Sequence, residues 1–240
     1  MPHLCHLCAI TKTTMKNSRI EIMDTTLRDG EQTSGVSFMP HEKLMIARAL
    51  LQQLRVDRIE VASARVSEGE KEAVSNITRW AKRNNCLDKV EVLGFVDGHS
   101  SVDWIVEAGC RNLNLLCKGS LKHCEGQLGK TPEQHLQEIL QVISYAEIKG
   151  VSVNVYLEDW SNGMKDSPEY VYALVEGLRH SGIRRFMLPD TLGVLNPKHL
   201  IRYVRQMVKR FPELHFDFHA HNDYDLAISN VLAAVWAGCK

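Results

Sequence analysis

The chain has 240 residues, of which 44% are apolar, so one large α/β domain with a full core can be buried. Basic and acidic side chains balance at 29 each, which removes the electrostatic case for nucleic acid or an anionic membrane as main partner. No apolar run approaches the roughly 20 residues that cross a bilayer. The first residues also lack the apolar block and cleavage site of a secretory signal, so the sequence reads as cytoplasmic.

Residues 1–18 read as a flexible leader ahead of a catalytic domain over 19–240. The leader carries a CxxC, Cys5 and Cys8, flanked by His3 and His6, but no second ligand pair follows at suitable spacing. The seven cysteines are scattered and odd in number, a pattern of reduced thiols rather than a disulfide framework.

From Arg19 onward, short β-rich runs alternate with amphipathic helical runs. Strands are predicted at RIEIMD (19–24), DRIEVAS (57–63), KVEVLGF (89–95), RNLNLLC (111–117), VSVNVYL (151–157), IRRFMLP (183–189) and HFDFHAH (215–221). Most are dense in Val, Ile, Leu and Phe, as strands covered by helices should be. Helix starts are marked where a capping residue precedes proline, at Thr131-Pro132, Ser167-Pro168 and Asn196-Pro197. Met39-Pro40 marks another, with a poorer cap. Gly109, Gly150 and Gly182 each stand between a helix and the next strand, where a left-handed residue ends the helix.

About seven such βα units predict a parallel sheet wound by right-handed crossovers into a (β/α)8 TIM barrel. An open doubly wound sheet is the alternative, but its GxGxxG phosphate signal is absent. The last helix is expected from about Asp225 to Ala237. Gly238 follows it, and an eighth strand is due where the chain stops at Lys240. The barrel therefore reads as truncated before its eighth strand.

In such a barrel the carboxyl ends of the strands share one rim, where chemistry gathers. The residues expected there are Asp24, Arg28, Asp29 and Gln32, then Glu60, Ser120 and His123, Glu158 and Asp159, Asp190 and Thr191, and finally His219, His221, Asn222 and Asp223. Two histidines spaced i, i+2 on a strand point the same way. With a carboxylate from the first strand, His219 and His221 supply two nitrogens and one oxygen to one ion, with positions left open. Read singly, each feature has a plainer account: strand-end histidines, an Arg28–Asp29 surface pair, a solvated Glu158, a lone loop His123.

DTTLRDGEQ (24–32) followed by HAHND (219–223) resembles the metallolyase-type TIM barrels: isopropylmalate, homocitrate and citramalate synthases and hydroxymethylglutaryl-CoA lyases. The resemblance runs from about Arg19 to the C-terminus. It implies that Asp29, His219 and His221 bind Mn, Mg or Zn, with Arg28 beside the substrate carbonyl and Gln32 near the substrate. It likewise implies that Thr191 holds a 2-oxoacid carboxylate, that Glu158 is the catalytic carboxylate, and that Ser120 to His123 belong to an active-site loop. VYLEDWSNG is most similar to citramalate synthase, whose small methyl pocket Leu93, Leu116 and Tyr156 match. Asn222 and Asp223 are expected to support the histidines or to cap the next helix.

The implied reaction is a Claisen-type condensation of acetyl-CoA with a 2-oxoacid, pyruvate favoured, followed by thioester hydrolysis, in branched-chain amino-acid biosynthesis. A homodimer is implied as well, since the family's synthases borrow residues from a partner's C-terminal region. Three alternatives stand beside this reading: 2-oxoisovalerate as acceptor, lyase-type cleavage of a hydroxyacyl-CoA, and a metal-binding barrel fragment without turnover.

Overall fold

The Val-, Ile- and Leu-rich runs form the strands, with ends displaced by one to a few residues. In the computed structural model, which describes residues 19–240, they are β1 (Met23–Asp24), β2 (Arg58–Ser63), β3 (Val90–Phe95), β4 (Asn112–Lys118), β5 (Ser152–Glu158), β6 (Phe186–Asp190) and β7 (Phe216–Ala220). The leader, with its CxxC, lies outside the described residues. All seven strands pair in parallel with their chain neighbours, in the order β1 to β7.

β1 is far shorter than RIEIMD predicts. It has one neighbour, β2, and its other edge is unpaired among the described residues. The Ile22 carbonyl still accepts the N–H groups of Asp57 and Arg58. Its side chain is 61% exposed, so the residues before Met23 lack the two-sided cover that fixes a strand.

The helices lie outside the sheet: α1 (Pro40–Arg48), α2 (Glu68–Arg83), α3 (Ser100–Glu107), α4 (Leu121–Gly126), α5 (Pro132–Ile148), α6 (Trp160–Asp166), α7 (Pro168–Leu178), α8 (Pro197–Arg210) and α9 (Ala227–Ala237). A π-helical turn, Ala49–Leu54, prolongs α1. Thr131 forms a full capping box with Gln134, and the Asn196 side chain accepts the His199 N–H at 3.0 Å. Ser167 departs from its predicted part. Its hydroxyl accepts the Leu121 N–H and reaches the Gly163 carbonyl, because α6 runs almost directly into α7 and offers the serine other partners.

Strand alternation explains the two cores. One face of each strand, for example Ile59 and Val61 or Leu113 and Leu115, packs outward under the helices. The other face fills the barrel interior and is layered. At the base Arg58 bonds to Glu91 and Asp217. Above it Glu60, Asn114 and Asn154 form a hydrogen-bonded row at 2.7 and 2.8 Å. Then comes a small apolar layer of Leu93, Tyr156 and Met187, with Leu116 and Met23 against it. The polar layers are tolerated because most of their groups pair with one another, although Arg58 Nε and Asn154 Oδ1 have no hydrogen-bond partner among the described residues.

The sheet curls into an incomplete barrel. Asp29, just past β1, lies within hydrogen-bonding distance of His219 on β7, although the two outermost strands do not pair. After α9 and Gly238 the chain returns to the sheet, where the Lys240 N–H donates to the Phe216 carbonyl at 3.1 Å. No helix among the described residues is long and apolar enough to cross a membrane.

Candidate active site

The β1 exit makes the first wall. The Asp24 carboxylate accepts the Thr26 N–H at 2.9 Å, and the Thr25 carbonyl accepts the N–H groups of Arg28, Asp29 and Gly30. This tight turn sends the Arg28 and Asp29 side chains over the barrel mouth. Arg28 Nε donates to Glu60 Oε2 at 2.6 Å and Nη1 to Asp29 Oδ1 at 2.8 Å. The guanidinium carbon lies 5.9 Å from the Tyr156 ring centre. Burial by itself would pull the Arg28 pKa down, but Glu60, then Tyr156 and Asp29, more than offset it, and the group stays charged.

β7 supplies the opposite wall. His219 Nε2 lies 3.1 Å from Asp29 Oδ2, and His221 Nε2 lies 3.8 Å from the same oxygen. The two rings face each other at 5.1 Å between centres. Ligand atoms of all three residues fall within 4.8 Å of one another. Two imidazole nitrogens and one carboxylate oxygen suit Mn²⁺, Zn²⁺ or a related divalent ion. The His219 tautomer that leaves the Nε2 lone pair for a cation puts the proton on Nδ1, which lies 3.3 Å from the Tyr156 hydroxyl. Hydrogen bonding with His219 holds the Asp29 carboxyl down at about 2. Burial opposes that, while Arg28 and the histidines add to it.

These groups line one cavity of about 240 Å³. Of the predicted residues, Arg28, Asp29, Gln32, Leu93, Leu116, Tyr156, Glu158, Thr191, His219 and His221 all face it. His123 does not. It lines a neighbouring cavity with Ser120 and Asp159. Other rim residues serve the loops. Asp190 accepts the N–H groups of Val194 and Leu195, and Asn222 accepts that of Ala227 at the start of α9, as a helix cap would.

Two further groups lie at the same rim: Asp159, expected there without a stated role, and Lys118, which sequence reasoning passed over. Asp159, fully buried and left-handed at φ 64°, gathers three loops. Its carboxylate accepts Ser120 Oγ and Asn162 Nδ2, each at 2.7 Å, and its N–H donates to Thr191 Oγ1 at 2.9 Å. Lys118 ends β4 with its ammonium on the Glu158 carboxylate. Strand parity could have found it, since it stands two residues beyond the inward-facing Leu116.

The backbone of Lys118 is itself held from outside the sheet. Its N–H donates to His135 Nε2 at 3.0 Å, and its carbonyl accepts the Tyr170 hydroxyl at 2.9 Å. Burial pushes the His135 imidazole down to about 4, so at neutral pH it keeps the lone pair this bond needs. An unfolded chain takes a proton on this ring near 6.5 and the folded chain only near 4. Stability from this group is therefore full above about 6.5 and lost as pH falls toward 4, by on the order of 3 kcal/mol. Urea unfolding at stepped pH checks this. The loss in that window should be markedly smaller in His135→Gln.

Among known proteins, the HMGL-like family profile matches residues 19–240. The chain belongs to the HMGL-like family. A protein of Ignicoccus hospitalis, named provisionally as a 2-isopropylmalate synthase, is 34% identical over 226 residues, 92% of this chain and 53% of its own length. A Methanopyrus kandleri protein, named provisionally as an (R)-citramalate synthase, is 34% identical over 222 residues, 92% of this chain and 42% of its own. This HMGL-like chain thus spans about half the length of the curated relatives it matches. An HMG-CoA lyase of Acinetobacter baumannii, solved with coenzyme A and 3-methylmalate, superposes with a TM-score of 0.69. It is 26% identical and covers 92% of this chain and 72% of that one. The particular likeness to citramalate synthase expected from VYLEDWSNG is not singled out, since 2-isopropylmalate synthases are at least as well represented among the relatives.

Proposed function

We propose that this chain forms the catalytic barrel of an enzyme that condenses acetyl-CoA with a 2-oxoacid in Claisen fashion and hydrolyses the resulting thioester. One observation carries the reading. A three-residue cation site, a fixed guanidinium and a carboxylate all face one small cavity. The names of the relatives support it, and coenzyme A with a small branched diacid occupies the related lyase.

Asp29, His219 and His221 would hold the divalent cation, which when bound supplies Lewis-acid polarisation of the acceptor carbonyl. Arg28 has Nε and Nη1 committed to Glu60 and Asp29, which leaves Nη2 to donate to the oxygen on which charge develops. Thr191 Oγ1 already accepts the Asp159 N–H, so its own proton is free to donate to the acceptor's carboxylate. Glu158 takes the proton from the acetyl methyl group. The carbanion equivalent so formed attacks the acceptor's carbonyl carbon, and water then cleaves the thioester.

The relatives weigh the acceptor toward 2-oxoisovalerate at least as much as toward pyruvate. What favours pyruvate is the apolar end of the cavity, where the bulky side chains of Leu93, Leu116 and Tyr156 stand together and would suit a methyl group better than an isopropyl group. The test is acetyl-CoA-dependent thiol release with each acceptor, on the full-length protein with Mn²⁺, Mg²⁺ or Zn²⁺. Release with neither removes the synthase reading. Leu116→Ala should move the ratio of kcat/KM values toward the bulkier acid by about 10-fold or more, the scale of one or two methylenes in a closed pocket. An unchanged ratio would mean that Leu116 does not size the acceptor.

A further inference from the structure

The Lys118–Glu158 pair at the rim is more elaborately built than a chance ion pair. The two residues are register partners at the ends of β4 and β5, and Lys118 Nζ lies on Glu158 Oε2. β3 ends opposite Leu116, so Lys118 has no ladder partner on that side. Side chains of two outer helices take over, His135 of α5 on its N–H and Tyr170 of α7 on its carbonyl. The next residue draws the strands together again, for the Gly119 N–H donates to the Glu158 carbonyl at 2.6 Å. A Cβ on Gly119 would collide with the carbonyl of Leu157, so only glycine permits this approach. The effect of all three is to fix the backbone from which the Lys118 ammonium reaches Glu158.

That ammonium has a single carboxylate partner among the described residues, unlike the other cation of the site. Arg28 serves Glu60 and Asp29. Lys118 serves Glu158 alone among the described residues, and Glu158 is the group that gains a proton in the proposed reaction. When it does, its negative charge disappears and the ammonium loses its counter-ion.

We propose that Lys118 is a catalytic residue, the counter-ion first of the Glu158 carboxylate and then of the thioester enolate oxygen. The proposal rests on the reading of Glu158 as the base. In the step concerned a methyl C–H bond of acetyl-CoA breaks and the proton goes to Glu158. The electron pair forms a carbon–carbon double bond as the thioester carbonyl becomes C–O⁻. One negative charge leaves the carboxylate and one appears on the enolate, so a single ammonium neutralises both states without moving far. A cation already in place needs no reorganisation as the charge moves from the carboxylate to the enolate oxygen, so the developing charge is never left without a partner.

The experiment compares wild type, Lys118→Met and Lys118→Arg in the full-length protein with Mn²⁺. It reads thiol release, deuterium uptake into the acetyl methyl group in D2O with oxamate in place of the acceptor, KM for the 2-oxoacid, and thermal stability. Lys118→Met should lose about 100-fold or more in both turnover and methyl exchange. Its KM for the 2-oxoacid should hold within about threefold, and Lys118→Arg should recover part of the exchange. Lys118 has no such role if Lys118→Met exchanges and turns over like wild type. Nor has it one if the losses track a fall in melting temperature that Lys118→Arg shares. A wild-type protein that neither exchanges nor releases thiol overturns the Glu158 assignment itself, and this proposal with it.

Discussion

Asp29→Asn should weaken Mn²⁺ binding by more than about 100-fold and take turnover down with it, while the fold survives. The substitution is nearly isosteric, so the turn that begins at Asp24 keeps its backbone bonds to the Thr25 carbonyl. What it removes is the only anionic member of the three-residue site. An amide oxygen is a poorer donor to a divalent ion, and the two histidines left behind supply no charge to offset the ion's own. Losing even an outer partner of a metal ligand typically costs 10–100-fold, so losing the charged ligand itself should exceed that range. Calorimetric titration of Mn²⁺ into wild type and variant reads the effect directly. Equal affinity in the two proteins would mean that Asp29 is no ligand, and the proposed centre would lose its anchor.

Arg28→Met should be costly twice over, once in stability and once in rate. Glu60 is wholly buried and depends on Arg28 Nε and Asn114 Nδ2 for its partners. Without the guanidinium a carboxylate is left uncompensated in the barrel interior, a situation that destabilises by roughly 3–5 kcal/mol. The rate should fall by about 100- to 1,000-fold, as expected when a preorganised donor to a developing oxyanion is lost. The two effects can be separated. Arg28→Met combined with Glu60→Gln removes the stranded charge, so urea unfolding should recover much of the stability while turnover stays low. If the double variant regains turnover along with stability, Arg28 is a structural partner of Glu60 and nothing more.

Much of this site was legible because its residues sit at strand ends and strand ends are easily read. The i, i+2 spacing of His219 and His221 suffices to place both rings on one side, and the rings do face each other. The prolines at 132 and 197 mark helix starts for a purely local reason, a missing N–H at a position where none is needed. His123 was less legible. Its place soon after β4, on the short helix α4, says that it is near the rim but not which of two adjoining cavities it lines. Lys118 was passed over because a lysine at a strand end reads as a solvated charge until its neighbour on the next strand is known. The Arg28–Glu60 bond spans 32 residues, and nothing in either local stretch announces it.

By itself the amino-acid sequence determined roughly where the strands would lie, which side chains would alternate to the inside, and which chemically equipped residues would stand at the strand ends. These follow from backbone geometry that each short segment carries alone. Only the tertiary structure decided who meets whom at the rim: Asp29 with His219 across 190 residues of chain, Lys118 with Glu158, Asp159 with Thr191. Such meetings depend on strand register and on the curl of the sheet. Both are properties summed over all seven strands, and no local stretch of chain contains them.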